Sequence, residues 1–260
     1  MKNSILYYTK KLCLCLADLI LPRRCIVCNE KLELDEEHLC AHCCSDIPFT
    51  RFWQLKHNRM ADKFNEAIQK QLEREWELTG ITAGPHERYA YATALFFFND
   101  DADYKRIPYE IKYEGNLSAG KHFGILLGHE LESTEWFSDI DTIVPVPLHW
   151  FRHWKRGYNQ AEVIASGISS ALGTPLRTDI LKRHKYTKTQ IRQNITKKAS
   201  NVAGSFSVIP GSYEGIRHIL LVDDVFTTGS TLFACFCALR TAFPPSVRIS
   251  VATLSFVGSG

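Results

Sequence analysis

Ile219-Leu220-Leu221-Val222-Asp223-Asp224-Val225-Phe226-Thr227-Thr228-Gly229-Ser230-Thr231-Leu232 is the stretch on which the fold turns. Its first four residues form an apolar run of the length and type expected of a strand buried in a parallel sheet. The acid pair Asp223 and Asp224 falls where that strand is expected to end. Thr227, Thr228, Gly229, Ser230 and Thr231 are small and hydroxyl-rich, and they lead into a helical apolar pattern from Leu232 to Ala242. Backbone N–H groups at a helix start, with hydroxyls and a glycine that permits close approach, suit a phosphate monoester. The two carboxylates cannot bind that phosphate. At the carboxyl edge of an open α/β sheet they suit sugar hydroxyls or a hydrated Mg²⁺.

In this order of residue types the stretch resembles the phosphoribosyl-pyrophosphate (PRPP) signature of type I phosphoribosyltransferases. Two plainer readings compete: the acids cap a helix, or they end a receiver-like or phosphatase-like strand. Neither accounts for the Thr-Thr-Gly-Ser-Thr loop. A haloacid-type phosphatase would also want a second aspartate two residues after its nucleophile, and Val225 breaks that spacing.

A chain of 260 residues with 45% apolar content suffices for one sizeable core and a small appendage. The net charge of +3 is weak, but its distribution is uneven. Between Ile180 and Tyr213 there is no acid, while Lys182, Arg183, Lys185, Lys188, Arg192, Lys197 and Lys198 crowd together. That stretch reads either as a solvated basic face or as a loop that attracts anions and closes over a site.

Nine cysteines are also unevenly placed, seven of them before residue 45. Cys25-x-x-Cys28 and Cys40-x-x-Cys43 are separated by a spacing that presents four thiolates as two knuckles around one structural Zn²⁺. Cys44 is then a spare, and His38 or His42 replaces a thiolate only if a cysteine points away. From Leu12 to Leu21 the apolar run is broken by Asp18 and is too short to span a bilayer. It reads as an amphipathic helix packed on a cytoplasmic protein.

Further along, residues 61–78 read as a helix with Phe64, Ala67, Ile68, Leu72 and Trp76 on one face. Tyr89 to Phe98 reads as a strand, Ser118 to Leu131 as a helix and Asp141 to Val146 as a second buried strand. After it, Arg152, Lys155, Arg156 and Gly157 precede a helix running to Ala171, a loop suited to pyrophosphate. Trp150, Phe151, Trp154 and Tyr158 interleave with these cations. They either pack under the loop or form a stacking platform for single-stranded DNA. Ser205 to Ile209 and Val247 to Phe256 read as the remaining strands. The predicted divisions are an N-terminal helix (1–22), a zinc-ribbon-like module (23–50), a helical connector (51–87) and a phosphoribosyltransferase-like domain (88–257).

Taken together, Pro22 with the two CxxC pairs, Ile111-Lys112-Tyr113-Glu114-Gly115, Pro145-Val146-Pro147-Leu148, Arg156-Gly157-Tyr158-Asn159-Gln160, Arg183, Thr189-Gln190 and the signature resemble the ComF family. The likeness covers nearly the whole chain. It departs at Asn29, where glycine is common, and at Lys198, where arginine is expected. The resemblance implies an α/β fold: an open, mostly parallel sheet flanked by helices, behind a four-cysteine zinc module. It implies a phosphoribosyltransferase, with pentosyl transfer to an unidentified acceptor and a link to competence and DNA uptake. Asp223 and Asp224 would be the catalytic acids. PRPP would be held by Asp223, Asp224, Val225, Thr227, Thr228, Gly229, Ser230, Thr231, Arg152, Arg156, Gly157 and Arg183. Zn²⁺ would sit on Cys25, Cys28, Cys40 and Cys43, and Mg²⁺ would accompany PRPP. A different class of reading makes the chain a PRPP-sensing or single-stranded-DNA-binding adaptor without catalysis.

Overall fold

The computed structural model describes residues 21–79, 88–148, 156–184 and 205–258, with Asp18 and Trp154 in addition. Six strands are β1 (Ala92–Phe98), β2 (Thr142–Pro145), β3 (Leu181–Arg183), β4 (Phe206–Val208), β5 (His218–Phe226) and β6 (Arg248–Val257). Besides a single turn at Arg106–Tyr109, the α-helices among the described residues are α1 (Ala41–Ser45), α2 (Arg59–Thr79), α3 (Leu117–Glu132), α4 (Gln160–Leu172) and α5 (Ser230–Arg240). Four strands make one sheet in the order β1-β6-β5-β2, every neighbour parallel. β3 and β4 form a separate antiparallel pair.

Alternation along β5 explains how both faces of the sheet are covered. Ile219 and Leu221 face a cluster with Phe64 and Ile68 of α2 and Leu232, Phe236 and Leu239 of α5. Leu220 and Val222 face the opposite cluster, with Phe123 and Leu127 of α3 and Ile164 and Ile168 of α4. A strand apolar at consecutive positions is what a two-sided sheet requires. The cysteine module joins the second cluster through Val27, Leu32, Leu39 and Ile47.

Module and sheet are also tied through the backbone. Phe49 bridges Phe96 in antiparallel fashion, with Thr50 N–H donating to Leu95 O at 3.1 Å and Phe97 N–H to Pro48 O at 2.9 Å. β1 is an edge strand, and this segment covers its open side.

Several expectations are corrected. β5 does not end at the acid pair but runs on to Phe226, because β6 stays in register with it as far as Phe226↔Phe256. Trp76 is 54% exposed; α2 presents Ile68, Leu72 and Glu75 to α5 and turns Trp76 past them. Leu181–Arg183 is a strand that three residues were too few to announce. The N-terminal helix, Lys198 and most of the basic stretch lie outside the described residues.

Candidate functional site

The carboxyl ends of β2 and β5 lie side by side, with Pro145 opposite Val222 and Val146 N–H donating to Val222 O at 2.8 Å. Sequence segments far apart therefore open on one cleft of about 260 Å³. Asp223, Asp224, Val225, Thr227 and Thr231 line it from the signature. Lys112, Tyr113, Arg156, Gln160 and Arg183 line it from elsewhere.

The turn after β5 is fixed by Gly229. Its φ is +75°, in the left-handed region, and a Cβ there would stand 2.6 Å from the Phe226 ring, so only glycine fits. Gly229 is the N-cap of α5 and supplies no side-chain cap. Thr228 Oγ1 and Ser230 Oγ lie 2.8 Å apart, and Lys63 Nζ donates to Thr227 O at 2.8 Å, which holds the turn from below. Thr228, Gly229 and Ser230 shape this turn without lining the cleft.

Asp223 is half-buried, and its Oδ1 accepts from the Asp224 N–H at 2.9 Å. Burial and the neighbouring Asp224 charge push the Asp223 carboxyl up to about 8, against the opposing pull of Lys112 and Arg183. Asp224 is held differently. Its Oδ2 lies 3.1 Å from Lys112 Nζ.

Lys112 arrives on a π-helical turn, Glu110–Glu114, that ends at Gly115. π-turns of this kind recur at functional sites. Tyr158 locks that turn to the opposite wall by donating its hydroxyl to Ile111 O at 2.6 Å. Arg156 lies over the Tyr113 ring at 5.1 Å, and Arg183 over the Phe206 ring at 5.1 Å. Asn159 caps α4, accepting from Ala161 N–H at 3.2 Å and donating to Val146 O at 3.0 Å. One residue on, Gln160 is 2% exposed, and its Nε2 has no hydrogen-bond partner among the described residues. A buried donor left over at a cleft wall calls for a partner from outside the chain, a ligand or a water.

From sequence, Lys112 and Gln160 enter only as members of family-like motifs, and neither is given a role. The signal for Gln160 was local: an amide immediately after an Asn cap, on the helix side that packs against the sheet. Arg152, Trp150 and Phe151 lie outside the described residues. Gly157 is in the α4 approach at φ +80° but does not line the cleft. Trp154 is 78% exposed.

The four cysteines converge. Cys25, Cys28, Cys40 and Cys43 bring their sulfurs within 4.8 Å of one another. Cys28 Sγ and Cys40 Sγ are 3.7 Å apart. Two thiolates on one tetrahedral Zn²⁺, at roughly 2.3 Å each, stand about 3.8 Å apart, so the donor set fits the ion. Burial opposes ionisation of Cys25, yet backbone hydrogen bonds at Cys28, Cys40 and Val27 outweigh it and bring the thiol down to about 7. Burial instead raises Cys43. Asn29 takes φ +64° at the knuckle turn, a conformation that asparagine tolerates in place of glycine. Cys44 is exposed and outside the cluster, and no histidine ligand is needed to complete it.

No family model matches the chain. Competence protein F of Haemophilus influenzae is 30% identical over 213 residues, covering 80% of this chain and 87% of that protein. Competence protein ComFC of Bacillus subtilis is 33% identical over 106 residues, 40% of this chain and 41% of its own. DNA utilization protein YhgH of Escherichia coli is 37% identical over 93 residues, 35% of this chain and 40% of its own. Among solved structures, an adenine phosphoribosyltransferase from Leishmania tarentolae overlaps 66% of this chain and 79% of its own. Its TM-score is 0.29 at 15% identity, too loose to align residues. On the Haemophilus likeness, which spans four-fifths of its length, the chain belongs to the competence protein F family.

Proposed function

We propose that the cleft binds PRPP with Mg²⁺ and that the protein transfers the phosphoribosyl group to an acceptor in a process linked to DNA uptake. The observation that carries this is the convergence, at one sheet edge, of a paired acid, Thr227 and Thr231 on either side of the start of α5, three cations and the leftover Gln160 donor. The 5-phosphate would sit at the head of α5, and the ribose hydroxyls would donate to Asp223 and Asp224. Two carboxylates beside hydroxyl oxygens are a hard donor set that fits Mg²⁺, which when bound spreads the charge of the pyrophosphate.

In the transfer, the bond from C1 of the ribose to pyrophosphate breaks and a bond from C1 to the acceptor forms. The proton of the acceptor leaves to solvent. Arg156 and Arg183 take up negative charge developing on the leaving group, and Gln160 Nε2 offers a neutral hydrogen bond to it. No protein nucleophile is required; positioning dominates. Lys112, 3.1 Å from Asp224 Oδ2, holds that side chain in place before substrate arrives.

Calorimetric titration with PRPP and Mg²⁺ tests binding. Replacing Asp223 and Asp224 together by Asn is expected to weaken it at least tenfold, and unchanged affinity removes the assignment. Pyrophosphate release in a screen of nucleobases, amines and DNA tests transfer. The exposure of Trp154 near Arg156 supports a second reading, an adaptor that stacks single-stranded DNA. Under that reading strand binding falls steeply with salt and is lost in Trp154→Ala, while no pyrophosphate is released.

A further inference from the structure

Glu37 and His38, on the loop between the two cysteine knuckles, meet His122 on α3. One carboxylate and two imidazoles there bring a ligand atom each within 4.8 Å of one another. None of the three belongs to the four-cysteine cluster or to the cleft. Glu37 Oε2 and His122 Nδ1 are 3.5 Å apart. That is long for an N–H···O hydrogen bond, which prefers roughly 2.7–3.2 Å. It matches two ligands of one tetrahedral ion, which at about 2.1 Å each stand roughly 3.4 Å apart.

The second imidazole is anchored on the same helix. His38 Nε2 lies 3.2 Å from Ser118 Oγ, and Ser118 is one turn before His122 on the same helix. A hydrogen bond on one ring nitrogen fixes the imidazole and leaves the other for an ion. The two rings approach edge-on with centroids 5.2 Å apart. Two imidazoles and a carboxylate are the donor set of zinc and its first-row neighbours, and three ligands leave a position for water.

We propose that Glu37, His38 and His122 form a second metal site, for a divalent first-row transition ion, which fastens the cysteine module to α3. Side-chain exposures of 68% for Glu37 and 36% for His122 make this ion more accessible than one held by the cysteines. It therefore exchanges more readily.

The test uses the untagged full chain carrying one equivalent of Zn²⁺, titrated with Co²⁺. The wild type is expected to take one further equivalent, giving a weak visible band without sulfur-to-cobalt charge transfer. The thermal midpoint is expected to rise as that equivalent binds. His122→Ala and Glu37→Gln should each weaken the second equivalent at least tenfold and abolish the rise, while keeping the first zinc. His42→Ala, at an exposed histidine outside the triad, should change neither. A chain that takes no second equivalent overturns the proposal. So does a second equivalent that survives both triad variants, or a charge-transfer band placing cobalt among the cysteines.

Discussion

Asp223 carries the pH dependence of the cleft. Its carboxyl lies above the ordinary aspartate range because it is desolvated beside Asp224, so near neutral pH it holds a proton, which Mg²⁺ bound as in the proposed function would displace. Binding therefore releases that proton, and affinity for Mg·PRPP should rise with pH until the group is ionised, near pH 8. One proton limits the slope to about tenfold per pH unit. Calorimetry in buffers of different ionisation enthalpy measures the release directly, and Asp223→Asn should flatten the profile. A wild-type affinity independent of pH between 6 and 8 would contradict this role. Gly229 is the other residue on which the site depends. Gly229→Ala forces a side chain into the left-handed region and against Phe226. It should cost about 1–3 kcal/mol in denaturant unfolding and lower PRPP affinity together.

At the scale of elements, the helix pair α3 and α4 decides where Gln160 and Asn159 stand. Gly124 of α3 packs directly on α4: a Cβ there would lie 2.2 Å from Ile164 O, and one on Gly167 would lie 2.3 Å from Lys121 O. Gly124→Ala must push the helices apart and should cost about 1–3 kcal/mol, read as a lower thermal midpoint. The amino end of β5 makes a separate prediction. His218 is buried, between Asp139 Oδ1 at 2.6 Å and Ser250 Oγ at 2.8 Å. Burial lowers its pKa more than the Asp139 charge raises it. The folded state thus binds fewer protons than the unfolded one, so this contribution is present above about pH 6.5 and is lost as pH falls through the depressed folded value. His218→Asn should flatten stability between pH 7 and 5, measured by urea unfolding. These elements also mark what could be read from the chain. β5 and its turn were legible because strand, acids and glycine are consecutive residues. The α3–α4 contact was written as glycine at every fourth position, Gly120, Gly124 and Gly128, but its meaning depends on a partner helix forty residues away. The Lys112–Asp224 pair was not legible, since it joins a π-turn to a strand more than a hundred residues on.

The whole molecule is built as two apolar clusters on either side of one sheet, and the cysteine module belongs to one of them rather than to a core of its own. Val27, Leu32, Leu39 and Ile47 share a cluster with Leu95 and Phe96 of β1 and with Phe123 of α3. Trp53, 3% exposed, lies in that cluster too. The module also covers the β1 edge through Phe49 and Thr50. Binding energy of a structural zinc, on the order of 10 kcal/mol in zinc-finger peptides, is folding energy for whatever the metal organises. For a zinc held by the four cysteines, that would include one face of the main sheet. Removing zinc by chelation, or weakening its site with Cys43→Ser, should therefore lower the unfolding midpoint of the entire chain. Scanning calorimetry should record a single transition moved to lower temperature, with the tryptophan emission shifting red in step with loss of helical signal. Two separated transitions, the first without loss of helical signal, would mean that the module melts alone and that the shared cluster does not couple it to the sheet.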